Sequence, residues 1–322
     1  MFSRRSMIAS ATEAKARIFD IQSFSLKDGP GIRTTVFFMG CPLRCRWCHN
    51  PESFSILPRI MFHSNLCVGC MKCVDACKYG VHGVAMRDGS PVHVVENDKC
   101  VGCGECLKVC CYDALSLTGR EYTSASLLEQ VGKDFRYFGL LDADGKSSGG
   151  ITFSGGEPLL HTDFIVEFCS LVPQVHTAIE TSGFAETREI EKLLECIDLF
   201  LFDFKMADPR KHAEWCGVDN LRILENLDFL YRKGKRIVLR LPMIPGVNDT
   251  KDHIDAIAGL LGKYPRIERA EILPYHTFGI GKMEELGLAA DPDLPSTDAT
   301  RENVAAWLQE LASRGCANIF SS

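Results

Sequence analysis

The segment Thr35-Val-Phe-Phe-Met-Gly-Cys41-Pro-Leu-Arg-Cys45-Arg-Trp-Cys48 runs an apolar stretch straight into a loop of three cysteines. Val36–Gly40 has the β-branched and aromatic content of a buried strand, and the C-x3-C-x2-C loop starts where that strand stops. Three thiolates on one short loop hold three irons of a 4Fe-4S cluster and leave the fourth iron open to another ligand. Zinc is the competing reading, but zinc loops usually carry two C-x2-4-C pairs that complete a four-ligand shell. Cys41, Cys45 and Cys48 are therefore read as catalytic cluster ligands.

Outward from this loop, apolar runs recur with helical patterns between most of them. Thr35–Gly40, Ile151–Ser154, Thr177–Thr181, Leu199–Lys205, Arg236–Ile244 and Arg269–His276 read as six buried strands. Helices are expected over 163–171, 220–233 and 250–261. A further one is capped by Thr187, with Ile190, Leu193, Leu194 and Ile197 on one face. Val304, Trp307, Leu308 and Leu311 mark a closing helix. Such alternation means an α/β fold of parallel strands with helical crossovers, either an open doubly wound sheet or a barrel-like one; the expectation is a partial (β/α)6 TIM-like barrel, whose chemistry sits at the C-terminal strand ends.

Met61–Leu117 breaks the alternation. Cys67-x2-Cys70-x2-Cys73-x3-Cys77 and Cys100-x2-Cys103-x2-Cys106-x3-Cys110 are two copies of the bacterial ferredoxin spacing, in which the fourth cysteine ligates the other copy's cluster. Cys67, Cys70, Cys73 and Cys110 are expected to hold one 4Fe-4S cluster, and Cys100, Cys103, Cys106 and Cys77 the second. Lys78 and Cys111 stand where the motif usually has proline, and Cys111 is read as spare. The expected division is 1–60 for the N-terminal segment with the first barrel strand and its cysteine loop, 61–118 for a ferredoxin-like insertion, and 119–322 for the rest of the barrel.

The bulk numbers bound the function. Of 16 cysteines in 322 residues, twelve crowd between Cys41 and Cys111, which in a chain without an export signal indicates metal rather than disulfides. Cys169, Cys196, Cys216 and Cys316 are expected to be packing residues. A net charge of -6 offers no field for a nucleic-acid backbone. No apolar run approaches the roughly 20 residues of a membrane helix. The Arg4–Arg5 pair is followed by an apolar stretch, Met7–Ala11, too short for a signal core. Residues 1–17 are read as a frayed terminus and the protein as cytoplasmic.

Polar residues cluster where the strands end. Gly155 and Gly156 open the backbone to close approach, and Glu157 offers an anionic acceptor for an ammonium group. Glu180-Thr181 ends the third strand, Asp203-Phe-Lys205 the fourth, Arg240 lies on the fifth, and Leu273-Pro-Tyr-His276 ends the sixth.

Cys41, Cys45, Trp47 and Cys48 resemble the C-x3-C-x-aromatic-C signature of the radical S-adenosylmethionine (SAM) superfamily. Asp28-Gly-Pro-Gly-Ile-Arg33 and His49-Asn-Pro-Glu52 resemble the activating enzymes of glycyl radical enzymes, over nearly the whole span from Ile18 to about His276. The resemblance implies reductive cleavage of SAM to a 5'-deoxyadenosyl radical, which takes hydrogen from one glycine of a partner glycyl radical enzyme. It also implies contacts to SAM. The Gly155–Glu157 segment would bind the amino group, Lys205 the carboxylate or ribose, and His276 the ribose. Trp47 would lie along the adenine or pack the cluster loop. His49, Thr181 and Arg240 complete the expected cofactor-binding set, and Glu180 with Asp203 would hold a monovalent cation. The insertion would take electrons from a ferredoxin or flavodoxin. Two other readings stand beside this one: a radical SAM enzyme acting on a small molecule or peptide, and a ferredoxin-type electron carrier.

Overall fold

The computed structural model describes residues 14–321, so Arg4–Arg5 and Met7–Ala11 lie outside the described residues. β1 (Lys15–Ser25) and β2 (Arg33–Phe38) form an antiparallel hairpin, and the chain then leaves the sheet. β3 (Ile60–Phe62) and β6 (Leu115–Leu117) pair as an antiparallel stem. Beyond the stem lie α1 (Lys72–Ala76), the hairpin of β4 (His82–Arg87) with β5 (Ser90–Val95), and α2 (Glu105–Val109). β7 (Arg120–Thr123) returns to pair antiparallel with β1. Next come β8 (Gly150–Gly155), β9 (His176–Thr181), β10 (Leu199–Asp203), β11 (Ile237–Met243), β12 (Arg269–Pro274) and β13 (Ile319–Ser321), each parallel to its predecessor, with β8 parallel to β2.

Among the described residues the main sheet thus has nine strands in the order β13-β12-β11-β10-β9-β8-β2-β1-β7, open at both ends. Its six central strands are the expected parallel set. The frayed terminus expected up to Arg17 is corrected from Lys15 onward, because β1 begins there. Its burial alternates, with Ala16 and Ile18 inward and Lys15 outward, so it carries no continuous apolar run to betray it.

The crossover helices are α3 (Ser124–Val131), α4 (Thr162–Leu171), α5 (Thr187–Leu193), α6 (Pro209–Cys216), α7 (Leu221–Arg232) and α8 (Lys251–Lys263). They are followed by α9 (Phe278–Glu285) and α10 (Arg301–Ser313). Thr187 does not cap α5: the cap position is Glu186, and the Thr187 hydroxyl donates to Asn226 Oδ1 at 2.8 Å. No described helix is long and apolar enough to cross a membrane.

Strand alternation sorts the sheet into two faces. Val36, Phe38, Ile151, Phe153, Phe200, Phe202, Leu239 and Leu241 turn toward the helices, where Phe168, Leu193, Leu227 and Ile257 meet them in the main core. Ala178, Leu199, Leu201 and Val238 form a smaller cluster on the opposite face. One pleat further toward the C-terminal strand ends, that same face carries Glu180, Asp203 and Arg240. The strand periodicity itself therefore gathers the polar residues in one place.

The loop leaving β10 is pinned by His253 of α8, 4% exposed, whose Nδ1 accepts from Ala207 N at 3.2 Å and whose ring stacks on Phe204. Burial, helped by the charge of Lys211, pulls this imidazole from 6.5 down to about 4. A histidine depressed on folding stabilises above its unfolded value, and that stability is lost as pH falls, because the unfolded chain takes up the proton first. Between pH 7 and 5 this amounts to about 2 kcal/mol. Anaerobic urea denaturation is expected to show that extra loss in the wild type relative to His253→Gln. Parallel curves would remove His253 as its source.

Candidate active site

A cavity of about 530 Å³ opens at the C-terminal ends of the parallel strands. Cys41, Cys45, Trp47, Cys48 and His49 line one side. Gly155, Gly156, Glu180, Asp203, Lys205 and His276 line the rest, together with Ser154, Ser182 and Asp298. The size suits a nucleotide-sized cofactor.

The cysteine loop is held by its neighbours. Arg44 N donates to Cys216 O at 2.7 Å and Arg46 N to Trp215 O at 3.0 Å, so the loop lies along the end of α6. Burial pushes the Cys41 thiol up, and with the nearby Cys45 it pushes Cys48 up to about 12. Thiols so placed become thiolates only when a metal takes them, and the donor set fits an iron-sulfur cluster with an open iron. Cys216 packs as expected: it is completely buried in one apolar cluster with Cys45, Leu43 and Trp47, a closeness that lowers the Cys45 thiol and raises that of Cys216. Cys169 is buried in the main core with Cys196 packed against it, and the Cys196 thiol donates to Leu193 O at 3.6 Å.

His49 and His276 stack with ring centroids 3.6 Å apart. Burial, with the field of His276 and Lys205, holds His49 near 3, and burial also lowers His276. His49 Nε2 and His276 Nδ1 are buried without a hydrogen-bond partner among the described residues, as expected where a polar cofactor completes the site. Lys205 Nζ sits 2.6 Å from Asp203 Oδ2. Burial opposes the lysine's charge, but Asp203 and Cys45 outweigh it and hold Lys205 well above its ordinary value. Burial pushes the Glu180 carboxyl up against the pull of Arg240, and Ser154 Oγ donates to it at 2.7 Å.

Three expected cofactor contacts point elsewhere. Glu157 is fully buried and does not line the cavity. Its Oε1 accepts from Thr181 Oγ1 at 2.6 Å and Leu159 N at 3.1 Å, and its Oε2 from Ser182 N at 2.9 Å and Ser182 Oγ at 2.5 Å. All four donors belong to the protein, so Glu157 ties the end of β9 to the Gly-Gly turn, and Thr181 is spent in the same bond. Arg240 pairs with Glu271 at 3.2 Å and donates to Lys27 O at 2.5 Å, tethering the loop before Asp28. The two glycines also serve a purpose beyond ligand approach. A Cβ on Gly155 would lie 2.2 Å from Phe38 N, and one on Gly156 2.2 Å from Gly40 O, so both are needed where the end of β8 lies against the end of β2.

Sequence reading missed Asp298, which accepts from Thr277 N at 2.8 Å next to His276 and sits in a loop without any motif. It also missed α9, where Lys282 Nζ donates to Glu52 Oε1 at 2.6 Å and holds the continuation of the cysteine loop.

In the insertion, one small cavity is lined by Cys67, Cys70, Cys73 and Cys110 and another by Cys77, Cys100, Cys103 and Cys106. These are the two groups of four that the spacing defines. Gly69 N donates to Cys67 Sγ at 3.5 Å and Gly102 N to Cys100 Sγ at 3.4 Å, equivalent bonds in the two copies. Cys111 is exposed and lines neither cavity.

Residues 118–259 match the radical SAM superfamily and residues 66–114 the 4Fe-4S dicluster domain, which defines the class. The choline trimethylamine-lyase activating enzyme of Oleidesulfovibrio alaskensis is 38% identical over 92% of this chain and 96% of its own. The benzylsuccinate synthase activating enzyme of Thauera aromatica is 39% identical over 93% and 91%. The 4-hydroxyphenylacetate decarboxylase activating enzyme of Clostridioides difficile is 39% identical over 87% and 88%. The chain belongs to the radical SAM family of glycyl radical enzyme activating enzymes.

Proposed function

We propose that Cys41, Cys45 and Cys48 hold the SAM-binding 4Fe-4S cluster and that two auxiliary 4Fe-4S clusters occupy the insertion, ligated by Cys67, Cys70, Cys73 and Cys110 and by Cys77, Cys100, Cys103 and Cys106. The chain then divides at 1–60, 61–118 and 119–322. When bound, the cluster and SAM supply a 5'-deoxyadenosyl radical, the reagent for taking hydrogen from a glycine. The protein's own residues bind and orient. Lys205 meets the cofactor's carboxylate, the unpartnered edges of His49 and His276 meet polar groups of the nucleoside, and Trp47 walls the adenine side. The strand-end backbone at Gly155 and Gly156 accepts the amino group. Glu180 and Asp203, both facing the cavity, hold a monovalent cation beside the carboxylate.

The partner is a glycyl radical enzyme, and a ferredoxin or flavodoxin supplies the electron through the insertion, in the cytoplasm. The relatives activate a lyase, a synthase and a decarboxylase at nearly the same identity, so the proposal is for the class of partner. The observation that carries it is the convergence of the three-cysteine loop, Lys205 and two unpartnered imidazoles on one cavity. Incubation of the reduced protein with SAM and candidate glycyl radical enzymes is expected to give a glycine-centred doublet by electron paramagnetic resonance (EPR). SAM cleavage without a doublet on any such partner would overturn the partner assignment.

A further inference from the structure

Two buried histidines stand between the cavities of the insertion, and the ligand assignment uses neither. His82 and His93 lie on facing strands of the β4–β5 hairpin, where His82 is opposite Val95 and Val84 opposite His93. The two are diagonal neighbours on one face. They are 4% and 8% exposed. His93 lines the cavity of Cys67, Cys70, Cys73 and Cys110, while His82 lines that of Cys77, Cys100, Cys103 and Cys106. The rings stack, with His82 Nδ1 2.9 Å from His93 Nε2, and His93 Nε2 is also 3.5 Å from Cys73 Sγ. Phe62 packs edge-on against His93, with centroids 4.5 Å apart, and fixes the ring.

We propose that His93 donates an Nε2–H hydrogen bond to the Cys73 thiolate, positioned by His82, and thereby sets the reduction potential of the first auxiliary cluster. A thiolate carrying cluster charge favours the tautomer with hydrogen on Nε2, and that one hydrogen is shared between the Cys73 sulfur and His82 Nδ1 in a three-centre bond. An N–H directed at a ligand sulfur stabilises the more negative, reduced state, so the bond raises the potential. The backbone bonds to Cys67 and Cys100 recur in both motif copies, whereas among the described residues this side-chain bond has no counterpart at the second cluster's cysteines.

The inference rests on the ligand assignment above, and the test separates the two. In the reconstituted full chain, His93→Phe is expected to keep iron and sulfide content while shifting the reduction equilibrium of one auxiliary cluster about tenfold toward the oxidised form, ~59 mV for one electron. The other auxiliary cluster keeps its midpoint in an EPR-monitored redox titration. His93→Gln retains an N–H donor and restores most of the shift.

Where His93→Phe loses a cluster, pulsed EPR on the reduced wild type decides, with an exchangeable proton and weak nitrogen coupling expected at one auxiliary cluster. Unchanged midpoints, absence of both couplings, or a nitrogen coupling as large as direct ligation would overturn the hydrogen bond. Zinc in the isolated protein would also overturn it, since Cys73, His82 and His93 have ligand atoms within 4.8 Å of one another. Eight missing irons in the wild type would instead overturn the assignment on which it rests.

Discussion

Cys45→Ala is expected to abolish 5'-deoxyadenosine formation and to remove about four of about twelve irons per chain, leaving the auxiliary clusters in place. Cys45 is buried among Leu43, Trp47, Met206 and Cys216. An alanine there takes away one of the three ligands proposed for the cluster. Cys216 touches the vacated position, which gives the experiment a second arm. If the Cys216 thiol substitutes as a ligand, the single variant retains some cluster, and the double variant with Cys216→Ser loses it. Undiminished SAM cleavage by the double variant would place the radical chemistry elsewhere and refute the site.

Glu157→Ala is the second large effect, and its signature is distinctive. A carboxylate that met the SAM ammonium directly would, on removal, weaken cofactor binding while leaving the fold nearly untouched. The observed Glu157 instead takes four donors from Thr181, Ser182 and Leu159, and alanine leaves them buried and unpaired. The expected loss is about 3 to 4 kcal/mol of stability, accompanied by weaker SAM binding as the Gly155–Gly156 turn loosens from β9. Glu157→Gln keeps one acceptor oxygen and should fall between. Thermal unfolding of the cofactor-free chain checks this: an unchanged melting temperature in Glu157→Ala would restore the direct-contact reading.

The contrast at Glu157 shows what was legible in the sequence. Cysteine spacing carries its own geometry, because three or four ligands on a short loop leave few alternatives, so the metal-binding loops could be read from the chain directly. Strands covered on both faces were equally plain: Leu199, Phe200, Leu201 and Phe202 are all essentially buried. The alternating strand β1 was not plain, nor were the edge strands β7 and β13, which are too short to show a period.

Direction was the other hidden quantity. A polar residue at a strand end can turn into the cavity, as Asp203 does, or back into the protein, as Glu157 does, and only the positions of Thr181 and Ser182 settle which. Arg240 shows the same limit, since its partner Glu271 comes from a strand some thirty residues later. Cys216 reaches Cys45 from the end of a helix far along the chain, a proximity that no local pattern encodes.

The insertion joins the sheet at one place. Arg59 and Thr118 close the β3–β6 stem, with Thr118 N donating to Arg59 O at 2.9 Å and Arg59 N to Thr118 Oγ1 at 2.8 Å. Entry and exit are therefore neighbours, and beyond the stem the insertion leans on the end of α9, where Asn97 Nδ2 donates to Leu286 O at 2.8 Å. A cassette joined through one closed stem can be cut out or put in at a single point of the chain, between Arg59 and Thr118, without breaking any strand of the main sheet.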